Sequence, residues 1–544
     1  FSITGFDPKN LRSRVTAVTY YENFLYSSEP FTTASHYSYD ITGNVNSLVQ
    51  ENHFADHYAA MRFKRVDYDY DFLSGNVNAV YYQRGEWDQF THRYQYDANN
   101  RLSNVFTSLS YIEEPLESPL WEQDATYDYY LHGPLARTEL GHYRVQGMDY
   151  AYNLQGWIKG VNSGHLDPTK DMGQDGKSGG TLSQRGIARD AYGYTLGYFN
   201  GDYQPIGGSS SNFELAYTGS TFAKSDSSLY NGNIRQIVAH NKQLGAARGH
   251  SYRYDQLHRI RKSRIWEYSD AGTYSWVGTG TATNKHLTAY QYDPNGNITN
   301  LIRYNDNPLI IDNLGYGYYD GTNQLSKVGD GHSGTAGVPS GQPNNNYHYD
   351  ENGNLIIDLQ NNDDISWTQF NKVRRVLDIG PIYRDIIFTY GPDQNRWVKA
   401  SSQAFHFYTR DANGNILATY EHTVNPNEPD SFILVWKDAY LYGSSRVGVV
   451  QPGISYEGLY FNPTANNLPD SSIFAADSVS LCLGWKGYEI ANHLGNVTAT
   501  VNDRKRPIDT NTDGTADYFE PTILSATDYY PFGMDMPNRT YNAG

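Results

Sequence analysis

The stretch Tyr290-Gln291-Tyr292-Asp293-Pro294-Asn295-Gly296-Asn297-Ile298-Thr299-Asn300-Leu301 decides how the rest of the chain is read. It reads as strand, tight turn, strand. Tyr290 and Tyr292 alternate with Gln291, so both rings are expected on one face of a pleated strand. Asp293 can bond its own backbone two residues on, Pro294 presets φ, and Asn295 and Gly296 accept positive φ. The β-branched Ile298 and Thr299 restart an extended segment. Nothing in the stretch is a nucleophile, a general base or a metal cluster.

Variants of Tyr-x-Tyr-Asp recur at Tyr37–Asp40, Tyr68–Asp71, Tyr94–Asp97, Tyr252–Asp255, Tyr290–Asp293 and Tyr347–Asp350, with weaker echoes at Tyr127–Tyr130, Tyr150–Asn153 and Tyr316–Asp320. Gly-Asn followed by Val, Ile or Leu recurs at 43–45, 75–77, 232–234, 296–298, 353–355, 414–416 and 495–497. Asp-to-Asp spacings of 31 (40 to 71), 26 (71 to 97) and 30 (320 to 350) mark a repeat architecture. A lone hairpin is marginal in water, so the units are expected to pair onward into one continuous sheet. The expected class is all-β. Helical periodicity is hard to find.

Composition narrows the function. The apolar class is 38% of 544 residues, below the ~45–50% of globular domains, while aromatics reach 15%, mostly Tyr. That predicts a thin sheet with much solvated surface, in which rings pack across strands and hydroxyls reach outward. The formal charge of −17 argues against nucleic acid as the main partner, since phosphate binding needs a basic patch. No apolar run of about 18 residues predicts a membrane span. The single Cys482 excludes an internal disulfide. The chain opens at Phe1 without Met or a signal peptide, as expected of an excised piece of a longer protein. No composition shift marks a domain boundary. Residues 1–544 are therefore expected as a single repeat region with insertions near 163–186, 207–228, 329–346 and 451–481, the first of them a long surface loop.

Longer stretches carry a family resemblance: HYSYDITGNVNSLVQ (36–50), VDYDYDFLSGNVNAVYYQRGEWDQFTHRYQYDANNRL (67–102), HGPLARTELG (132–141), VQGMDYAYNLQGWIKGVN (145–162), YLYGSSRVG (440–448), NHLGNVTATVNDRK (492–505) and ATDYYPFGMDMPNRTY (526–541). The chain resembles the RHS/YD-repeat family, specifically the RHS-repeat-associated core proteins of Bacteroidetes type. The resemblance implies a long antiparallel β-sheet ribbon coiled into a hollow shell around a cargo, usually the C-terminal toxin of a polymorphic toxin. Tc toxin C subunits and teneurins share that architecture. In the family the pattern continues past a PFGM-like segment, here Pro531-Phe532-Gly533-Met534, into a closing core that can carry a self-cleaving Asp pair. Closing core and cargo are both expected outside this chain, and no residue here is assigned to self-cleavage. A secreted or cell-surface location, with type IX secretion as the route, is implied by the resemblance alone.

The sharpest site motif is Asp509-Thr-Asn511-Thr-Asp513-Gly514-Thr515-Ala-Asp517-Tyr-Phe-Glu520. It fits the 12-position Ca²⁺ loop, with side-chain oxygens from Asp509, Asn511 and Asp513, a turn at Gly514, a backbone carbonyl at Thr515, then Asp517 and Glu520. The competing reading is an acidic surface loop between two strands, because no flanking helices are evident. His493, near Glu489 and Asn492, reads as a metal or catalytic histidine or, more plainly, as one bonded within a strand turn. The Asp residues after Tyr read as turn formers rather than glycosidase carboxylates. Ser444 and Ser445 lack the strand–elbow–helix setting of a nucleophile. Cys482 reads as a small core residue, and Trp157 as a packing ring or a carbohydrate platform.

Three functions follow as expectations. The first is a non-enzymatic structural shell that encapsulates or presents a polypeptide cargo, typically a toxin domain. The second is a cell-surface adhesin binding glycan or protein, with secretion machinery or a surface protein as partner. The third is part of a self-cleaving toxin precursor whose protease residues lie beyond Gly544. Ca²⁺ is the one cofactor expected.

Overall fold

In a computed structural model, residues 6–21, 31–53, 59–109, 120–167, 170–205, 213, 228–269, 275–276, 284–332, 341–378, 380, 384–402, 404–425, 428–455 and 483–543 are described. Most of the insertion near 207–228, residues 333–340 of the one near 329–346, residues 456–481 of the one near 451–481, and Cys482 lie outside them.

The stretch around Asp293 forms the expected hairpin. Strands Thr288–Tyr292 and Ile298–Tyr304 pair antiparallel, with Tyr290 opposite Leu301 and Tyr292 opposite Ile298. The rings of Tyr290 and Tyr292 stack at 6.5 Å on one face. Tyr290 is buried with Leu301, Leu314 and Val328. In the turn, the Asp293 carboxylate accepts the Asn297 backbone N–H at 2.8 Å and the Asn297 side-chain amide at 2.8 Å. Gly296 sits at φ +95°, where a Cβ would be strained. Asn of the Gly-Asn signal is therefore the second half of the turn lock. Asp40–Asn44, Asp350–Asn354 and Asp411–Asn415 repeat it. Where Asn is missing, Arg101 and Arg259 bring a guanidinium to Asp97 and Asp255 instead.

A second recurrence joins one hairpin to the next. The backbone carbonyl of the Val, Ile or Leu after each Gly-Asn accepts a hydrogen bond from a ring further along the chain. Tyr70 donates to Val45 at 3.0 Å, Tyr96 to Val77 at 2.8 Å and Tyr254 to Ile234 at 2.8 Å. Tyr318 donates to Ile298 at 2.7 Å, Tyr442 to Ile416 at 2.9 Å and Tyr529 to Val497 at 2.6 Å. At Leu355 the donor is the Trp367 indole N–H, at 2.7 Å. All seven Gly-Asn copies carry this clasp, so the two sequence signals meet in one contact. A register shift next to the clasping ring recurs as well, at Asp69/Tyr70, Gln95/Tyr96, Arg253/Tyr254, Gly317/Tyr318 and Leu441/Tyr442. Such bulges increase local twist and re-aim the side chain beside them.

The protein is all-β, as expected, but the pairings among the described residues form two sheets, of 20 and 15 strands, rather than one. The first ends with Leu325–Asp330 and the second begins with Tyr347–Tyr349. The polar stretch between them lacks the alternation that a strand needs to bury one face. Described helices are single turns, Ala59–Arg62 and Leu182–Arg185, with a 3₁₀ turn at Lys242–Leu244. No described helix is long and apolar enough to cross a membrane.

Two compact units result. One comprises 1–125 and 349–486, the other 126–348 and 487–544. In the first, Tyr82 and Tyr420 bond hydroxyl to hydroxyl at 2.6 Å among buried Trp436, Phe90 and Phe407. In the second, Ile265, Ile311, Tyr530 and Met536 pack together. Each core draws on strands of both sheets.

Candidate functional site

The motif at 509–520 lies between strands Val497–Ile508 and Tyr518–Tyr529, in an exposed loop. The structure brings its first positions together. The Asp509 carboxylate accepts the Gly514 N–H at 2.9 Å, and Asn511 Oδ1 accepts the Asp513 N–H at 3.0 Å. Asp513 accepts the Thr515 N–H at 2.8 Å, and Gly514 turns at φ +84°. Asp517 bonds the Thr510 hydroxyl and its N–H, which hold its carboxyl below the usual range. Glu520 is part of the second strand. Its carboxylate faces Lys242 in an ion pair, with Arg189 at 3.9 Å. The loop thus has a turned backbone ringed by oxygens, while its final acid is committed to a lysine at the start of a 3₁₀ turn.

The other sequence candidates fall into structural roles. His493 occupies a turn in which Asn492 stands where other copies have Asp, accepting the Leu494 and Asn496 N–H groups at 2.9 and 3.1 Å. Burial pushes His493 down to about 4, so the ring is neutral at pH 7. It lies 6.0 Å from the Tyr194 ring and borders a pocket of about 260 Å³ shared with His250, Tyr252 and Asp528. Asp528 gives its carboxylate to Arg539 at 2.7 and 2.9 Å. Ser444 and Ser445 are exposed in the turn before Arg446–Val450. Trp157 packs 5.0 Å from the Tyr198 ring and against Gly232. The turn aspartates spend their oxygens on their own turns, as described for Asp293.

Sequence reading missed the buried charges. In the first unit Lys64 (2% exposed) pairs with Asp88 (0%), and Tyr420 donates its hydroxyl to the same carboxylate. Burial pushes the Lys64 ammonium down. Lys486 pairs with Asp124 at 2.7 Å and with Glu122 at 2.5 Å, and meets the Thr107 hydroxyl at 3.0 Å. Burial works against the Lys486 charge, but Asp124 and Glu122 outweigh it and raise its pKa. In the second unit, Lys159 is held by Asp202 at 2.8 Å and the Leu196 carbonyl at 2.7 Å. A lysine within an aromatic, alternating strand is the available signal, since a buried ammonium needs a carboxylate.

The expected surface loop at 163–186 also departs from its reading, because Asp171 and Asp175 are buried. Arg137, on strand Leu135–Leu140, reaches Asp175 at 2.7 and 3.0 Å and draws that segment inward.

No known family pattern matches the chain, and no curated protein sequence does. Solved structures do match. The chain is similar to a chain of the TcdB2-TccC3-Cdc42 crystal structure, with a TM-score of 0.56 and 12% identity over 94% of this chain and 20% of that one. TcdB2-TccC3 without its hypervariable C-terminal region matches with a TM-score of 0.55, 12% identity and the same coverage. A TccC3-mutated Photorhabdus luminescens Tc holotoxin pore matches with a TM-score of 0.55 and 13% identity, over 93% of this chain and 20% of that one. The chain spans about a fifth of the chains it matches, and at this identity the likeness establishes the fold.

Proposed function

We propose that this chain is wall material of a non-enzymatic β-ribbon shell that encloses or presents a polypeptide cargo, with a toxin domain as the leading candidate. The observation that supports it most is the fold likeness to TccC3-containing Tc toxin structures over 94% of the chain. Turn aspartates and clasping tyrosines engaged in structure suit a wall better than a reaction centre. The charge of −17 disfavours a nucleic-acid cargo. Action outside the cell or at its surface belongs to the same proposal.

Limited proteolysis of the natural full-length product tests the reading. A non-repeat domain that resists protease while the wall is folded, and is digested once the wall is unfolded, is the expected result. Equal sensitivity in both states overturns it.

A second reading, a surface interaction protein, draws on a different observation. Hairpin turns carry large apolar residues at their tips. Ile41, Phe72 and Leu73 are exposed in one unit, and Leu131, Leu154 and Leu257 in the other. Glycan-array or pull-down binding abolished by Phe72→Ser with Leu73→Ser favours this reading.

Ca²⁺ binding by the 509–520 loop is proposed as a local brace. Chelator-reversible protection of the 509–517 backbone from proteolysis is expected, and unchanged cleavage across millimolar Ca²⁺ rejects it.

A further inference from the structure

The second unit buries a concentration of carboxylates that its own cations do not balance. Asp149 lies on strand Gln146–Tyr152, directly opposite Arg137 in the ladder. Asp171 and Asp175 come from the Asp-Met-Gly-Gln-Asp-Gly segment 171–176. One oxygen from each of the three lies within 4.8 Å of the others. Two oxygens that share a Ca²⁺ at about 2.4 Å are at most about 4.8 Å apart, so the trio is already within ligating distance. Glycines make the room. A Cβ on Gly147 would overlap the Asp175 carboxylate, and one on Gly173 would overlap Asp149 and Arg137.

Arg137 is the cation at hand. It contacts Asp149, Asp175 and, through Nε at 3.0 Å, Glu139. Asp171 is different. It is 2% exposed, its Oδ2 accepts the Asp175 N–H at 3.2 Å, and its Oδ1 is buried without a hydrogen-bond partner. An unpaired buried carboxylate oxygen is costly. Three carboxylates against one guanidinium sum to a charge of −2, which one divalent cation brings to zero. Buried Asp190 nearby bonds the Gln146 amide at 2.8 Å and deepens the excess.

We propose that Asp149, Asp171 and Asp175 bind a hard divalent cation, Ca²⁺ or Mg²⁺, that pins the 171–176 segment to the sheet. An all-carboxylate set favours these ions over Zn²⁺. The site is separate from the 509–520 loop and independent of the shell reading.

The test uses the full chain, stripped with chelator and titrated with CaCl₂ or MgCl₂ by calorimetry and thermal melting. A Tm rise of about 3 °C or more at a hundredfold excess over Kd is expected. At equal concentrations, the ion giving the larger rise is the one the site prefers. Asp509→Asn with Asp513→Asn is expected to keep the rise, and in that background Asp171→Asn is expected to weaken binding at least tenfold and to cut the rise by about half or more. Because Asn sheds a buried charge at constant shape, metal-free Asp171→Asn is expected to melt no lower than metal-free wild type. That outcome separates ligand loss from misfolding. No binding of either ion, or a rise that Asp171→Asn leaves undiminished in the Asp509→Asn, Asp513→Asn background, overturns the proposal.

Discussion

Turn aspartates and interior aspartates use the same side chain for opposite ends. At the turns Asp293 and its counterparts stay at the surface and accept N–H groups from their own next four residues. The Asn297 amide, first among these bonds, holds the Asp293 carboxyl below its usual range. In the interior Asp124 takes a lysine from a strand of the other sheet, and Asp88 takes Lys64 from its own sheet and the Tyr420 hydroxyl from the other. The difference teaches that the ribbon is built locally and fastened remotely. Turn aspartates make each hairpin, whereas Asp88 and Asp124 tie elements of the two sheets within a unit.

The largest test of that contrast is Lys486→Met. It leaves Asp124 and Glu122 facing each other without a cation, and a loss of about 3–5 kcal/mol is expected in urea unfolding. Adding Asp124→Leu is expected to restore a large part, since the stranded charge is the main cost. If Lys486→Met costs no more than a turn mutation, the contrast fails.

Acid is the next probe, through His92 in the first unit. Burial pushes it down to about 4, and it bonds the Tyr440 carbonyl at 3.0 Å. Its folded pKa is below the unfolded value near 6.5, so the unfolded chain binds more protons between those limits. Its contribution is therefore present above about pH 6.5 and lost as pH falls through 4. Relative to His92→Asn, wild type is expected to lose about 2–3 kcal/mol of its stability advantage between pH 7 and 4. A pH-independent difference contradicts this. The turn aspartates act lower. Their depressed values mean that their stabilisation persists above the usual carboxylate range and fades only as pH falls below it.

Smaller effects belong to the clasps and turns. Tyr96→Phe removes the bond to Val77 and is expected to cost about 1 kcal/mol in chemical unfolding. Asp293→Ala is expected to lower Tm more than Asp293→Asn, because Asn keeps an acceptor, as Asn492 does in its own turn. Equal losses for Ala and Asn would show that the acceptor oxygen is not what the turn requires.

These ranks mirror what was legible in the residues. Asp293, Gly296 and the alternating Tyr290 and Tyr292 act within a dozen residues, so spacing alone reveals the hairpin and the all-β class. The clasp is written in two signals, but only stacking shows that Tyr318 reaches Ile298 rather than solvent. The second sheet was not legible, because a ladder's end depends on what its last strand meets. Lys64, Lys486 and the trio around Asp171 were missed for the same reason. The partner of Lys486 is distant in sequence, Lys64 meets Asp88 only once the strands between them have folded back, and a Gly- and Asp-rich segment reads as exposed until Arg137 is seen to draw it in. At 509–520 the turn was readable around Gly514, whereas the attachment of Glu520 to Lys242 was not.

The clasp also gives the ribbon a direction of growth. In every Gly-Asn copy the donor comes later in the chain than the carbonyl it seals, from Tyr70 on Val45 to Tyr529 on Val497. A chain emerging N-terminus first therefore completes each hairpin only when the following one arrives, like a zip whose slider moves one way. In the Gly-Asn hairpins the ladders join neighbouring strands over short loops, as from Thr288 to Tyr318, which keeps closure entropy low at each of those steps. The unfinished end is a single open carbonyl and strand edge. Such a polymer can complete its clasps in the order in which its hairpins are synthesised.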